Sequence, residues 1–268
     1  MCGRHEIGDS RPEFMNNALL WRLMNDIAVH RSEVSTIVPF LNGEPLEDER
    51  IFNVIDFIAE EVGPRKVHFS TNASLLEGDK ADRLLCCLAE NKLQSLSFSV
   101  DGYDNFEKIR SGLSREQVYK NIGDFLGAID DPVTRNMINI HFTAVQENLG
   151  DIEDFVNYWG VCRDYRWTIM PADSRSDLLF GLPVDRSNVR LPNPIPCWQI
   201  LWSNVYVMTD GTFVPCCVDC LGASKMGNLH ENTIEEVFTS QRYEEFRTKH
   251  LQIKKNELSA CQNCQTHY

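Results

Sequence analysis

Six of the ten cysteines lie beyond residue 196, as Cys197, then Cys216-Cys217-Val218-Asp219-Cys220, then Cys261-Gln262-Asn263-Cys264. Thiolates separated by two residues can turn both sulfurs toward one metal ion or cluster, and a distant pair then closes a four-thiolate shell. Spacing allows two such shells. Cys217, Cys220, Cys261 and Cys264 would make a tetrahedral zinc site, but that leaves Cys197 and Cys216 without a task. The alternative set is Cys197, Cys216, Cys261 and Cys264, and local spacing does not choose between them. The other thiols suggest packing. Cys86 and Cys87 sit among Leu84, Leu85 and Leu88, where small apolar residues belong, and Cys162 falls in a connection before Trp167. His68 and His141 fall within strand-like runs and are expected to pack or face solvent. The chain carries no H-E-x-x-H, nucleophile elbow or Gly-rich phosphate loop.

The elements that must position these residues alternate in type. Ser35–Phe40, Lys66–Ser70, Leu96–Val100, Met137–Val145 and Trp167–Met170 read as strands. Between them, Leu46–Val62 has apolar residues at helical spacing, with Glu47, Asp48 and Glu49 expected in its first turn, where carboxylates complement the helix dipole. Ala81–Leu88 and Ile152–Trp159 are further helix faces. Ser114 with Gln117 predicts a capping box ahead of Val118, Ile122 and Phe125. Such alternation implies parallel strands with helical crossovers, and either a β/α barrel or an open doubly wound sheet satisfies it. Near residue 183 the pattern changes: Pro183, Pro192, Pro194 and Pro196 stiffen the chain. Leu201–Met208 and Thr212–Pro215, joined through Thr209-Asp210-Gly211, then read as a β-hairpin, and Thr233 with Glu236 opens a helix. The expected division is residues 1–190 and residues 191–268.

A net charge of −13 over 268 residues argues against general nucleic-acid binding, which relies on clustered Lys and Arg. No apolar run reaches the roughly 18 residues of a membrane span, and Met1–Phe14 does not resemble a signal peptide, so a cytoplasmic protein that reduces its thiols is expected.

The stretch from Cys197 through Gly211 and Cys216, then Gly227-Asn228-Leu229, a helix and Cys261-x-x-Cys264, resembles the SPASM extension of radical S-adenosylmethionine enzymes in its short "twitch" form. That resemblance implies an auxiliary [4Fe–4S] cluster on Cys197, Cys216, Cys261 and Cys264. The first part of the chain resembles the same family. Asn42-Gly43-Glu44-Pro45 looks like its GGEP motif, whose main chain binds the methionine amino group. Ser70-Thr71-Asn72 looks like the "TNG" element, with Ala73 in place of glycine. Ser99-Val100-Asp101-Gly102 and Ile109-Arg110-Ser111-Gly112 look like its "S-x-D-G … I-R-x-G" stretch. The resemblance implies S-adenosyl-L-methionine contacts from Asn42, Gly43, Glu44, Pro45, Thr71, Asn72, Ser99, Asp101 and Arg110.

The family holds its catalytic cluster on C-x3-C-x2-C. Here Cys2-Gly3-Arg4 looks like the third cysteine and its following arginine, so Cys2 is the expected ligand. The first two cysteines and the first strand are then expected upstream of residue 1. The fold implied is α/β, a partial (β/α)6 barrel followed by a small hairpin-plus-helix iron–sulfur domain. The activity implied is radical abstraction of hydrogen from a small alcohol or a peptide, with a flavodoxin or ferredoxin as electron donor. A cluster protein without radical catalysis, used for binding or electron transfer, and a zinc-stabilised α/β protein are the competing readings.

Overall fold

A computed structural model describes residues 14–160, 165–171, 197, 204–217, 219 and 221–261. These fall into two units. The first holds His30–Phe40 and residues 44–171; the second holds residues 14–29, Leu41–Gly43 and the described residues from 197 onward.

In the first unit, β1 (Val67–Thr71), β2 (Leu93–Ser99), β3 (Ile138–Ala144) and β4 (Arg166–Pro171) form one parallel sheet in the order 1-2-3-4. Strands laid down in chain order, without reversal, wind in one direction. That is the progression of a barrel wall; a doubly wound sheet reverses at its switch point. The connections carry α3 (Gly78–Ala89) after β1; α4 (Phe106–Ile109), α5 (Arg115–Gly127) and α6 (Pro132–Arg135) after β2; and α7 (Ile152–Trp159) after β3. One sheet face is apolar: Phe69, Leu96, Phe98, Ile138, Ile140 and Phe142 are buried on it. In α3, Leu84, Cys87 and Leu88 are buried while Cys86 is exposed, and burial pushes the Cys87 thiol up to about 11. Both cysteines thus behave as helix residues and not as ligands.

Three expectations are corrected. Ser35–Phe40 is not a strand among the described residues, since only Ile37 pairs, in one parallel bridge to Val67. Pro39 two residues on has no N–H with which to extend a ladder. Leu46–Val62 is not one helix: a 3-10 turn at Pro45–Glu47 precedes α2 (Ile51–Phe57), which runs into a π turn at Ile58–Val62. Asp48 separates the two by accepting from the Arg50 main chain and pairing with its guanidinium at 2.6 Å. Ser114 Oγ accepts from Gln117 N, but the Gln117 amide turns to Asn121 at 2.7 Å, so only half of that capping box exists.

In the second unit, β5 (Tyr206–Val207), β6 (Thr212–Val214) and β7 (Gly227–Asn228) form an antiparallel sheet in the order 5-6-7. The hairpin turns at Thr209-Asp210-Gly211 as expected, with Gly211 at φ +82. A Cβ there would stand 3.1 Å from Leu19 and 3.2 Å from Asn228, so space as well as φ requires glycine. Thr233 and Glu236 complete a reciprocal capping box on α8 (Ile234–Phe238), followed by α9 (Gln241–Leu251). Helix α1 (Asn17–Val29), unforeseen in the sequence, belongs to this unit. Asn16 caps it, and Asp26 accepts a 2.7 Å hydrogen bond from Ile234 N. Leu19 joins Phe213, Met226, Leu229, Val237, Tyr243 and Phe246 in one apolar cluster. No helix among the described residues is long and apolar enough to cross a membrane.

Candidate functional site

Parallel strands covered on both faces usually read as continuous apolar runs. These alternate instead, because the second face of the sheet is polar. Register sets His68 beside Ser95, Ser70 beside Ser97 and Asn139, and Ser99 beside His141 and Thr168. Neighbours bond across it: His68 Nδ1 lies 2.7 Å from Ser95 Oγ, and His141 Nδ1 lies 3.0 Å from Thr168 Oγ1. Asn139 Nδ2 donates to Thr168 Oγ1 at 3.0 Å, whereas the buried Asn139 Oδ1 has no partner. Both imidazoles are partly withdrawn from water, and burial lowers their pKa values. At His141, Arg110 adds to that lowering and Asp101 opposes it.

The motif residues gather at the carboxyl ends of the strands. Glu44 is buried and accepts three hydrogen bonds, from Leu46 N at 3.1 Å, Thr71 Oγ1 at 2.6 Å and Asn72 N at 2.8 Å. Burial raises the pKa of this carboxyl against the pull of its donors. Thr71 Oγ1 accepts in turn from Ala73 N at 3.0 Å, so one chain of bonds fixes the turn leaving β1. Ala73 is fully buried at φ +59, the conformation for which glycine is suited. Pro45 is buried at the start of the 3-10 turn, and Gly43 has φ +93.

Ser99 Oγ lies 3.4 Å from Ser70 Oγ. Beyond it the fully buried Asp101, at φ +54, pairs with Arg110 through one carboxylate oxygen and accepts from Thr143 N through the other at 2.6 Å. Arg110 Nε is buried without a partner. Sequence reading missed the residues that hold this loop. Asn148 donates to Asp101 O and Thr143 O, each at 2.9 Å. Asp151 accepts from Tyr103 N and Asn105 N, each at 2.7 Å. Neither belongs to a motif, and burial at 0% and 2% is what marks them.

In the second unit, Cys261 is buried in the apolar cluster, and Cys197 and Cys216 are packed against it. Tyr206 lies near both Cys216 and Cys217, and its pKa is raised by burial and by these two thiols. His250 Nε2 lies 3.4 Å from Cys261 Sγ. Among the described residues, no group of three or more His, Cys, Asp or Glu could hold a single metal ion. Cys2, Cys162, Cys220 and Cys264 lie outside the described residues.

Residues 197–265 match the SPASM iron–sulfur cluster-binding domain, and the chain shares its fold with several solved structures. Among solved structures the chain is similar to BtrN in complex with AdoMet and 2-DOIA, at 16% identity over 99% of this chain and 87% of that one, with a TM-score of 0.57. It is similar to anSMEcpe with bound AdoMet, at 14% identity over 90% of this chain and 73% of the other, with a TM-score of 0.61. Streptococcus suis SuiB bound to precursor peptide SuiA follows at 12% identity, covering 85% of this chain and 60% of its own, with a TM-score of 0.54. No curated protein matches the sequence.

Proposed function

We propose that this protein acts as a radical S-adenosylmethionine enzyme whose polar sheet face receives a small alcohol or a peptide. The carrying observation is the bond chain Ala73–Thr71–Glu44–Asn72 beside Ser70, Ser99 and the Asp101–Arg110 pair, at the strand ends of a sheet with one polar face. A SPASM match in the same chain supports the reading. When bound, a reduced [4Fe–4S] cluster and S-adenosylmethionine supply a 5′-deoxyadenosyl radical for hydrogen abstraction.

The protein's share is to bind, orient and exclude water. Glu44 has both carboxylate oxygens engaged within the protein, so it ties the Pro45–Leu46 turn to the end of β1. Asp101 and Arg110 brace one another and so hold the loop that follows β2. Ser70, Ser97, Ser99, Asn139, His141 and Thr168 offer the hydroxyl, amide and imidazole groups that would hold a polar substrate. Among the similar structures one is in complex with 2-DOIA and another is bound to a precursor peptide. Cys2 would contribute one thiolate to the catalytic cluster, and Cys197, Cys216, Cys261 and Cys264 would hold the auxiliary one.

The test is anaerobic reconstitution with iron and sulfide, then dithionite reduction with S-adenosylmethionine, using the 268-residue chain and a chain extended by C-x3-C ahead of Cys2. The extended chain is expected to release 5′-deoxyadenosine, and to lose that activity on Asn72→Asp. No 5′-deoxyadenosine from a cluster-loaded extended chain would overturn the reading.

A further inference from the structure

His250 lies in the last turn of α9 and is 3% exposed, and its Nε2 is 3.4 Å from Cys261 Sγ. Its ring packs on Phe246 at 5.3 Å between centroids. A buried imidazole with a ring nitrogen on a sulfur has two readings. It satisfies a core thiol, or it acts on a thiolate that holds iron.

The backbone around the pair is built to hold them together. Helix α9 ends in a Schellman motif: Lys254 N donates to Lys249 O at 2.8 Å, and Ile253 N donates to His250 O at 3.0 Å. Ile253 takes φ +60, where a β-branched side chain is strained. The sharp reversal starts a 3-10 turn at Lys255–Glu257, and Cys261 N then donates to Leu258 O at 2.9 Å. The returning chain thereby meets the helix face it has just left. Both residues fall within the stretch that matches the iron–sulfur domain.

We propose that His250 donates a hydrogen bond from Nε2 to the Cys261 thiolate when that thiolate holds the auxiliary cluster, and that this bond raises the cluster's reduction potential. The inference rests on the reading of Cys261 as a cluster ligand. A metal-bound thiolate has no proton to give, so the imidazole N–H is necessarily the donor. Reduction adds an electron whose negative charge spreads onto the thiolate sulfurs. A donor aimed at sulfur therefore favours the reduced cluster more than the oxidised one. Burial excludes the water that would otherwise compete for the same sulfur. His250 is a positioning and tuning residue in this account, with no contact to substrate.

The experiment compares wild type, His250→Leu and His250→Gln as full chains, each reconstituted anaerobically with iron and sulfide. Iron and sulfide content is measured first, then the midpoint potential by EPR-monitored redox titration. His250→Leu should load its cluster and shift the reduction equilibrium about tenfold toward the oxidised form, a midpoint about 59 mV more negative. His250→Gln, whose amide keeps a donor at a similar reach, should return most of that shift. Should His250→Leu fail to fold, His250→Phe keeps a ring against Phe246 without a donor and serves the same comparison. A loaded cluster with the wild-type midpoint in the donor-free variant would overturn the assignment to His250 alone. Wild-type protein that takes up no iron and sulfide would instead overturn the ligand reading on which it rests.

Discussion

Thr71 Oγ1 donates a 2.6 Å hydrogen bond to Glu44 Oε1, joining two motifs 27 residues apart. Glu44 Oε2 accepts from Asn72 N on the opposite side of the carboxylate, so both oxygens face donors. Glu44→Gln must turn its amide –NH2 toward one of them, whichever way it rotates. Leaving a buried donor facing a donor should cost about 1–3 kcal/mol of stability. Because this carboxylate joins the Pro45–Leu46 turn to Thr71 and Asn72, affinity for S-adenosylmethionine should fall as well. Urea unfolding and equilibrium binding to the reconstituted protein measure the two effects, and a stable variant with unchanged affinity would detach Glu44 from the cofactor.

At the end of the same bond chain, Ala73 pays for a left-handed backbone in a fully buried turn. A non-glycine residue there costs roughly 1–2 kcal/mol, while glycine's extra freedom in the unfolded chain costs about 0.5–1 kcal/mol. Ala73→Gly should therefore raise stability by about 0.5–1 kcal/mol, read as a higher urea midpoint at an unchanged slope. Ile253→Gly, at the exposed end of α9, should gain at least as much, because β-branching adds to the strain. A lowered midpoint in both would show that the turns are not strained.

Much of the fold was legible because period-two and helical apolar patterns dominate it: β1 to β4, α3, α5 and α7 follow from them. Ser35–Phe40 misled because β-branched residues around Ile37 mimic a strand, while pairing ends at a single bridge. Strand β7 is only Gly227–Asn228, too short for any period to appear. Helix α1 carries apolar residues at helical spacing, but its role depends on Phe213 and Leu229, about two hundred positions away. The motifs at Glu44, Asn72 and Asp101 were legible as residue types. The buried partners that brace them, Asn148 and Asp151, were not, since a single polar residue before a helix reads as an ordinary cap.

Gly102 tests how tightly that bracing is built. A Cβ there would lie 3.0 Å from Phe106 Cα, 3.1 Å from Phe106 N and 3.3 Å from Asp151 Oδ2. Two of these are backbone atoms, and Asp151 is fixed by the Tyr103 and Asn105 main chain, so little can give way. Gly102→Ala should cost about 1–3 kcal/mol by overpacking and move the loop that carries Asp101. A melting temperature and cofactor affinity equal to wild type would show that the loop is looser than its contacts imply.

The histidines on the polar sheet face predict a pH dependence. Burial lowers the pKa of His68, and burial with Arg110 nearby lowers that of His141 against the pull of Asp101. Each binds fewer protons folded than unfolded, so its contribution is present above the ordinary value of about 6.5 and is lost as pH falls through the depressed folded value. Between pH 7.5 and 5 the urea midpoint should drop, and the His68→Gln/His141→Gln double variant should drop less. Parallel slopes in the two proteins would remove these histidines from the pH response.

Cys216 and Cys217 are adjacent, and the proposed ligand shell takes only the first. Cys216 packs against the apolar cluster that contains Cys261 and is also bordered by Cys197, and Tyr206 lies near both Cys216 and Cys217. A cluster held by Cys197, Cys216, Cys261 and Cys264 needs all four thiolates, because a serine in place of any one weakens a soft bond that iron–sulfur chemistry requires. Anaerobic reconstitution of the 268-residue chain should load about four irons and four sulfides by the one-cluster argument. Cys217→Ser should keep that load with the same EPR signal on reduction. Cys197→Ser, Cys216→Ser and Cys261→Ser should each lose most of it, and Tyr206→Phe, which removes a hydroxyl and no thiolate, should leave it intact. Zinc binding gives the opposite pattern: Cys217→Ser would abolish one tightly bound zinc with no sulfide present, and Cys197→Ser would leave it unchanged. Metal and acid-labile sulfide content, measured on the same six proteins, separates the two shells.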